Sequence, residues 1–249
     1  MDDIRLASFL ASFLKPETGI LQNIRQEALQ DGVPVIRPET AALLSFFVNL
    51  LSPARVLEVG CAVGYSAVRM ASGMPPGGTL HTVENDPSRI AKARENIRKA
   101  GMEGRITLYE GDAGAVLRAL EGPYDLIFMD AAKAQYLTWL PDVLRLLAPA
   151  GVLISDNVLQ DGDILESRYA VERRNRTIHA RMRAYLRALT AREDLSTVIL
   201  PVGDGAAVTA FARKGPDGPA DPDPDGSQAP ENVSARTYPP DTEDTDEET

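Results

Sequence analysis

The sequence predicts an α/β fold, a mostly parallel, doubly wound sheet of seven strands that ends in an antiparallel hairpin and carries helices on both faces. Three observations carry that expectation. Short apolar β runs alternate with helical stretches between residues 55 and 157, which implies right-handed crossovers between parallel strands. A loop with two glycines, Gly60 and Gly64, follows the first of these strands. The last two β runs are separated only by "PVGDG" (201–205), which is hairpin chemistry.

Taken in order, residues 3–30 and 38–51 place apolar side chains at helical spacing, with Leu6, Phe9, Leu10 and Leu14 as one stripe. These N-terminal helices, within residues 1–52, are expected to pack on a domain spanning 53–214. Strands are expected at "RVLEV" (55–59), "TLHTVE" (79–84), "RITLYE" (105–110), "YDLIFMD" (124–130) and "GVLISDN" (151–157). The helix "PSRIAKARENIRKAGM" between the second and third strands stops at Gly101, as a C-cap glycine dictates. Five parallel strands closed by a hairpin differ from a dehydrogenase sheet and match the Rossmann-like arrangement expected of class I methyltransferases.

Charge divides the chain. Residues 215–249 hold eleven Asp and Glu against one Arg, so the whole formal charge of −10 belongs to this segment and the preceding body is neutral. The segment is rich in Pro, Gly and like charge and nearly devoid of apolar side chains. It is expected to be a disordered acidic tail, because it cannot bury enough surface to offset the entropy of ordering. One cysteine, Cys61, excludes an internal disulfide framework, and two histidines, His81 and His179, leave no zinc-type cluster. With no signal-like leader and no apolar run near the length of a membrane span, the chain reads as soluble and cytoplasmic.

Ligands of open α/β sheets sit at the carboxyl ends of the strands. In "VLEVGCAVGYSA", Ala62 and Tyr65 occupy the places where a dinucleotide fingerprint needs glycines, so a nicotinamide-binding loop is excluded. The second strand ends on Glu84, placed to accept ribose hydroxyls, and the third leads into Asp112 and Ala113, a carboxylate and a backbone N–H able to read a base. Asp130 closes the fourth strand, and Asp156 and Asn157 close the fifth. Two carboxylates and a carboxamide form an all-oxygen cluster suited to a hard cation such as Mg²⁺.

Together "LEVGCAVGYSA", "MDAAKAQY", "SDNVL" and "PVGDG" resemble the metal-dependent O-methyltransferases related to catechol and caffeoyl-CoA O-methyltransferases, over roughly residues 30–213. The resemblance implies an S-adenosylmethionine cofactor contacted by Ile36, Glu58, Gly60, Gly64, Ser66, Glu84, Asp112, Ala113 and Asp130. It implies Mg²⁺ or Mn²⁺ on Asp130, Asp156 and Asn157, with Asp130 and Lys133 catalytic, Lys133 as base or oxyanion stabiliser. Homodimers are common in the family. "GYSAVRMA", "DAAKAQY", "SDNVLQDG" and "PVGDGAAV" are most similar to bacterial tRNA 5-hydroxyuridine methyltransferases, which implies a tRNA anticodon loop as partner and methylation of the wobble 5-hydroxyuridine.

For that substrate the phosphate contacts would come from "SRYAVERRNRTIHARMRAYLRAL" (167–189), expected to be an amphipathic helix with Arg173, Arg174, Arg176 and Arg181 on its outer side, where they serve either phosphate or a solvated face with ion pairs to Glu166 and Glu172. Tyr65, Tyr136 and Trp139 are near the expected rim, where they could stack on a base or equally serve as core or lid residues. Two other readings stand beside it: a small hydroxylated aromatic acceptor, catechol or hydroxycinnamoyl-type, and a non-catalytic adenosylmethionine-binding protein.

Overall fold

The computed structural model describes residues 9–167 and 169–213, which belong to one compact unit. The acidic tail, Leu6 and Arg168 lie outside the described residues.

After a helical segment at residues 9–11 come α1 (Gly19–Gln30) and α2 (Pro38–Leu51), the second with proline at its first position, where the missing N–H costs nothing. The helix expected over 3–30 is not continuous. Residues 9–11 are helical, the chain turns at 12–14, and α1 begins only at Gly19. Pro16 explains the interruption, since it disfavours helical backbone at Lys15 and supplies no N–H. The alternating part follows as β1 (Arg55–Val59), α3 (Tyr65–Gly73), β2 (Thr79–Glu84), α4 (Pro87–Lys99), β3 (Ile106–Glu110), α5 (Ala113–Ala119), β4 (Tyr124–Met129), α6 (Tyr136–Leu146) and β5 (Leu147–Ser155). The chain closes with α7 (Arg176–Thr190), β6 (Leu195–Leu200) and β7 (Ala206–Phe211). Asp86 caps α4 by accepting from the N–H groups of Ser88 and Arg89, and Gly101 ends that helix in the left-handed conformation, as expected.

The seven strands lie in the order β3-β2-β1-β4-β5-β7-β6. β1 to β5 are parallel, β7 runs antiparallel between β5 and β6, and six of the seven strands therefore share one direction. Strand alternation sends β1's Val56 to one face, with Ile24, Leu44, Val48, Met70 and Ile97 of α1–α4. It sends Leu57 and Val59 to the other, with Leu117, Val143, Met182, Tyr185 and Leu189 of α5–α7.

Register then aligns the site. Val59 pairs with Val83 on one side and with Met129 on the other, and Met129 pairs with Ser155. The next residue on each strand is Gly60, Glu84, Asp130 and Asp156, so four residues far apart in sequence form one row on the carboxyl rim.

Candidate active site

A cavity of about 920 Å³ opens above this row. Its walls include Ile36, Gly60, Glu84, Asp112, Ala113, Asp130, Asp156 and Asn157 among the residues expected from sequence. Glu58, Gly64 and Ser66 do not line it. Glu58 is wholly buried on the α3 side of β1, where Thr82 Oγ1 donates to its Oε2 at 2.5 Å. Burial pushes its carboxyl up to about 7 against hydrogen bonds from Ser66 and Thr82. Gly64 opens α3 at φ 84°. These three residues stand behind the loop.

Gly60 shows why the loop needs glycine. Its φ is 103°, and a Cβ built there would overlap the carbonyl oxygen of Asp130. Absence of a side chain lets β1 and β4 approach at the rim. Glu84 is held rigidly: its Oε2 accepts from Ala62 N at 2.8 Å, and its Oε1 accepts from Asn85 N at 2.9 Å and Asp86 N at 3.0 Å. Asp112 caps α5 by accepting from Ala115 N at 2.9 Å while facing the cavity. Beside it Trp139 forms an apolar wall close to Gly114. Tyr65 and Tyr136, by contrast, are buried and do not line the cavity. Tyr136's hydroxyl lies within 3.0 Å of Met129 O and 3.3 Å of Asp156 O, which makes it a brace under the rim.

At the opposite end of the cavity the Asn157 carboxamide nitrogen donates to Asp130 Oδ1 at 2.8 Å, and Asn157 N donates to Asp156 Oδ1 at 2.9 Å. Burial raises both carboxyls, Asp130 despite the charge of Lys133, and Asp156 to about 7 with the charge of Asp130 adding to the effect. Two acids therefore share a corner of the cavity in which burial outweighs the countercharge of Lys133. Among the described residues no three His, Cys, Asp or Glu side chains cluster as a metal site. The donor set here is two carboxylates and one amide, and its oxygen chemistry and excess negative charge fit a hard divalent cation.

Lys133 starts a short 3₁₀ turn (Lys133–Gln135) and places its Nζ 3.5 Å from Asp204 Oδ2. Asp204 and Arg37 both line the cavity, and neither was singled out from sequence. Asp204 lies inside "PVGDG", where the glycines and the turn chemistry masked its carboxylate. Arg37 sits just ahead of α2 and donates to Gly203 O at 3.2 Å.

The arginine-rich segment differs from expectation. Its helix begins at Arg176, so Arg173 and Arg174 lie in the preceding turn, both exposed. Arg174 pairs with Glu172 at 2.7 Å. Arg176 donates to Val171 O and Tyr169 O, and Arg181 donates to Ala134 O at 3.1 Å. The last two spend N–H donors on backbone carbonyls, which ties α7 to its neighbours.

Fold, rim and cavity define a class I methyltransferase, and comparison with known proteins agrees. The chain belongs to the O-methyltransferase family, whose model matches residues 12–213. A catechol O-methyltransferase of Niastella koreensis is 32% identical over 164 residues, covering 64% of this chain and 74% of the relative. A catechol O-methyltransferase of Mycobacterium tuberculosis is 34% identical over 143 residues, covering 55% of this chain and 65% of the relative. The SAH-bound crystal structure of the Podospora anserina methyltransferase PaMTH1 superposes with a TM-score of 0.75 at 25% identity, covering 85% of this chain and 95% of that one.

Proposed function

We propose that this enzyme transfers the methyl group of S-adenosylmethionine to one hydroxyl of a small vicinal dihydroxy aromatic compound of the catechol type, assisted by a divalent cation. The observation that carries the reading is the continuity of one cavity from Glu84 and Asp112 at one end to Asp130, Asp156 and Asn157 at the other. Likeness to catechol O-methyltransferases supports the acceptor class.

Under this reading Glu84 accepts from the ribose hydroxyls, its carboxylate oriented in advance by three backbone donors. Asp112, Ala113 and Trp139 flank the base, and Ile36 closes the wall near the methionine portion. Gly60 leaves room for that portion against the rim. Asp130, Asp156 and Asn157 would hold the cation. A bound Mg²⁺ would polarise a hydroxyl and make it easier to deprotonate. Lys133 does not line the cavity, but its charge acts on both carboxyls, and from there it would receive the proton or stabilise the oxyanion. One continuous cavity would take acceptor and cofactor together, and positioning would supply much of the rate.

The tRNA reading draws on the exposed Arg173 and Arg174, but the commitment of Arg176 and Arg181 to backbone carbonyls weakens it. One experiment separates the two. Methyl transfer from labelled adenosylmethionine is measured with Mg²⁺ on catechol and, in parallel, on tRNA containing 5-hydroxyuridine. Catechol methylation that EDTA abolishes and Mg²⁺ restores is the expected result. Transfer to the tRNA alone would overturn the small-molecule acceptor, and full activity in EDTA would overturn the cation.

A further inference from the structure

The β6–β7 turn does more than reverse the chain. It is jammed between two elements: a Cβ built at Gly203 would overlap Thr40 Oγ1 of α2, and one built at Gly205 would overlap the side chain of Leu159. Both glycines have positive φ, 62° and 83°. Two backbone hydrogen bonds stitch the turn to the segment after Asn157, Val158 N to Gly205 O and Leu159 N to Asp204 O, each 3.0 Å. Between the glycines Asp204 is only 7% exposed, and its Oδ2 lies 3.5 Å from Lys133 Nζ.

A buried carboxylate on a turn with no room to move is a fixed electrostatic anchor, whereas lysine on a four-carbon stem is not fixed by itself. Lys133 is partly exposed, on a 3₁₀ turn that α7 holds through Arg181. We infer that Asp204 is a positioning residue that holds the Lys133 ammonium in the corner formed by Asp130 and Asp156. The inference rests on the oxyanion-stabilising role given to Lys133 under Proposed function, since an ammonium paired with Asp204 has no lone pair with which to receive a proton. It assigns the hairpin a part in the reaction, since the last two strands then deliver the group that aims the lysine.

The test uses the full chain with Asp204→Asn, Asp204→Glu, Lys133→Met and the Asp204→Asn/Lys133→Met double variant. Six quantities are measured: kcat and KM on catechol with Mg²⁺, adenosylhomocysteine and Mg²⁺ affinity by calorimetry, Tm, and the rate at which an acylating reagent modifies Lys133, read by peptide mass. Asp204→Asn is expected to lower kcat on the order of 10- to 100-fold, with little change in KM, adenosylhomocysteine affinity, Mg²⁺ affinity or Tm. Asp204→Glu should recover part of the loss, and Lys133 should be acylated several-fold faster in Asp204→Asn, an order-of-magnitude expectation for a released side chain.

In the double variant the loss should equal that of Lys133→Met alone, because residues acting as a unit are not additive. Multiplicative losses, an unchanged acylation rate, or loss of Mg²⁺ binding in Asp204→Asn would each overturn the inference. Full turnover by Lys133→Met would remove the lysine's role and this inference with it. Acylation needs no acceptor, so a wild-type chain inactive on catechol sinks the substrate reading and leaves the positioning claim to be decided by labelling. Should Asp204→Asn not fold, Asp204→Ser carries the same comparisons.

Discussion

At the residue scale the rim depends on groups whose size or protonation has no substitute. Gly60→Ala puts a methyl group into the carbonyl of Asp130 on a backbone with φ 103°. The strain alone costs on the order of 1–3 kcal/mol, and relief would push β1 from β4 at the cofactor loop. Urea unfolding should show the lost stability, and calorimetry the loss of adenosylhomocysteine binding. His81 offers a pH-dependent counterpart away from the site, at the other end of the sheet. Its Nδ1 shares a 2.7 Å hydrogen bond with Tyr124 Oη, and burial, with Arg55 nearby, holds its imidazole below its ordinary value. The unfolded chain therefore binds more protons just below the ordinary histidine value of about 6.5. This contribution to stability is complete above that pH and is lost as pH falls through it towards the folded value. Tm should drop more between pH 7.5 and 5.5 in the wild type than in His81→Gln, and equal drops would exclude His81 as a source.

At the element scale the helix α7 ties the far face of the sheet to the rim. Its Tyr185 hydroxyl shares a 2.6 Å hydrogen bond with Ser155, both fully buried, one residue before Asp156. Tyr185→Phe strands the Ser155 hydroxyl and should cost about 1–3 kcal/mol, measurable by chemical denaturation. This helix also marks where sequence reading succeeds and stops. Ile178, Met182, Tyr185 and Leu189 at helical spacing mark its inner face, of which Met182, Tyr185 and Leu189 are buried and Ile178 only partly so. Gly60, Glu84, Asp112, Asp130, Asp156 and Asn157 announced the cavity because strand ends follow from apolar period and length. What the spacing did not carry was the use of each polar group. Arginines on an outer face read the same whether they meet phosphate or, like Arg181, a backbone carbonyl. Asp204 reads as a turn residue until Lys133, 71 positions earlier, is brought to it. Tyr136 and Tyr65 allow a rim reading, and only packing shows both buried, Tyr136 beneath the rim and Tyr65 beside Glu17 and Arg69.

At the scale of the whole molecule, charge and architecture separate at the end of the sheet. The last strand ends at Phe211 and the family match at residue 213, while the acidic excess lies entirely in 215–249. Removing residues 215–249 should therefore leave Tm and kcat unchanged within error and raise the isoelectric point sharply. A large fall in either would make the tail part of the working enzyme. The insertion of β7 between β5 and β6 bears on how the protein is made. Until the ribosome has released residues 206–211, β5 presents a bare edge of backbone donors and acceptors beside the half-built rim. A nascent chain stalled before that point would be both inert and open to pairing with its neighbours on the same message, so the stretch from the end of β5 at Ser155 to the end of β7 at Phe211 is the hazardous part of its biogenesis.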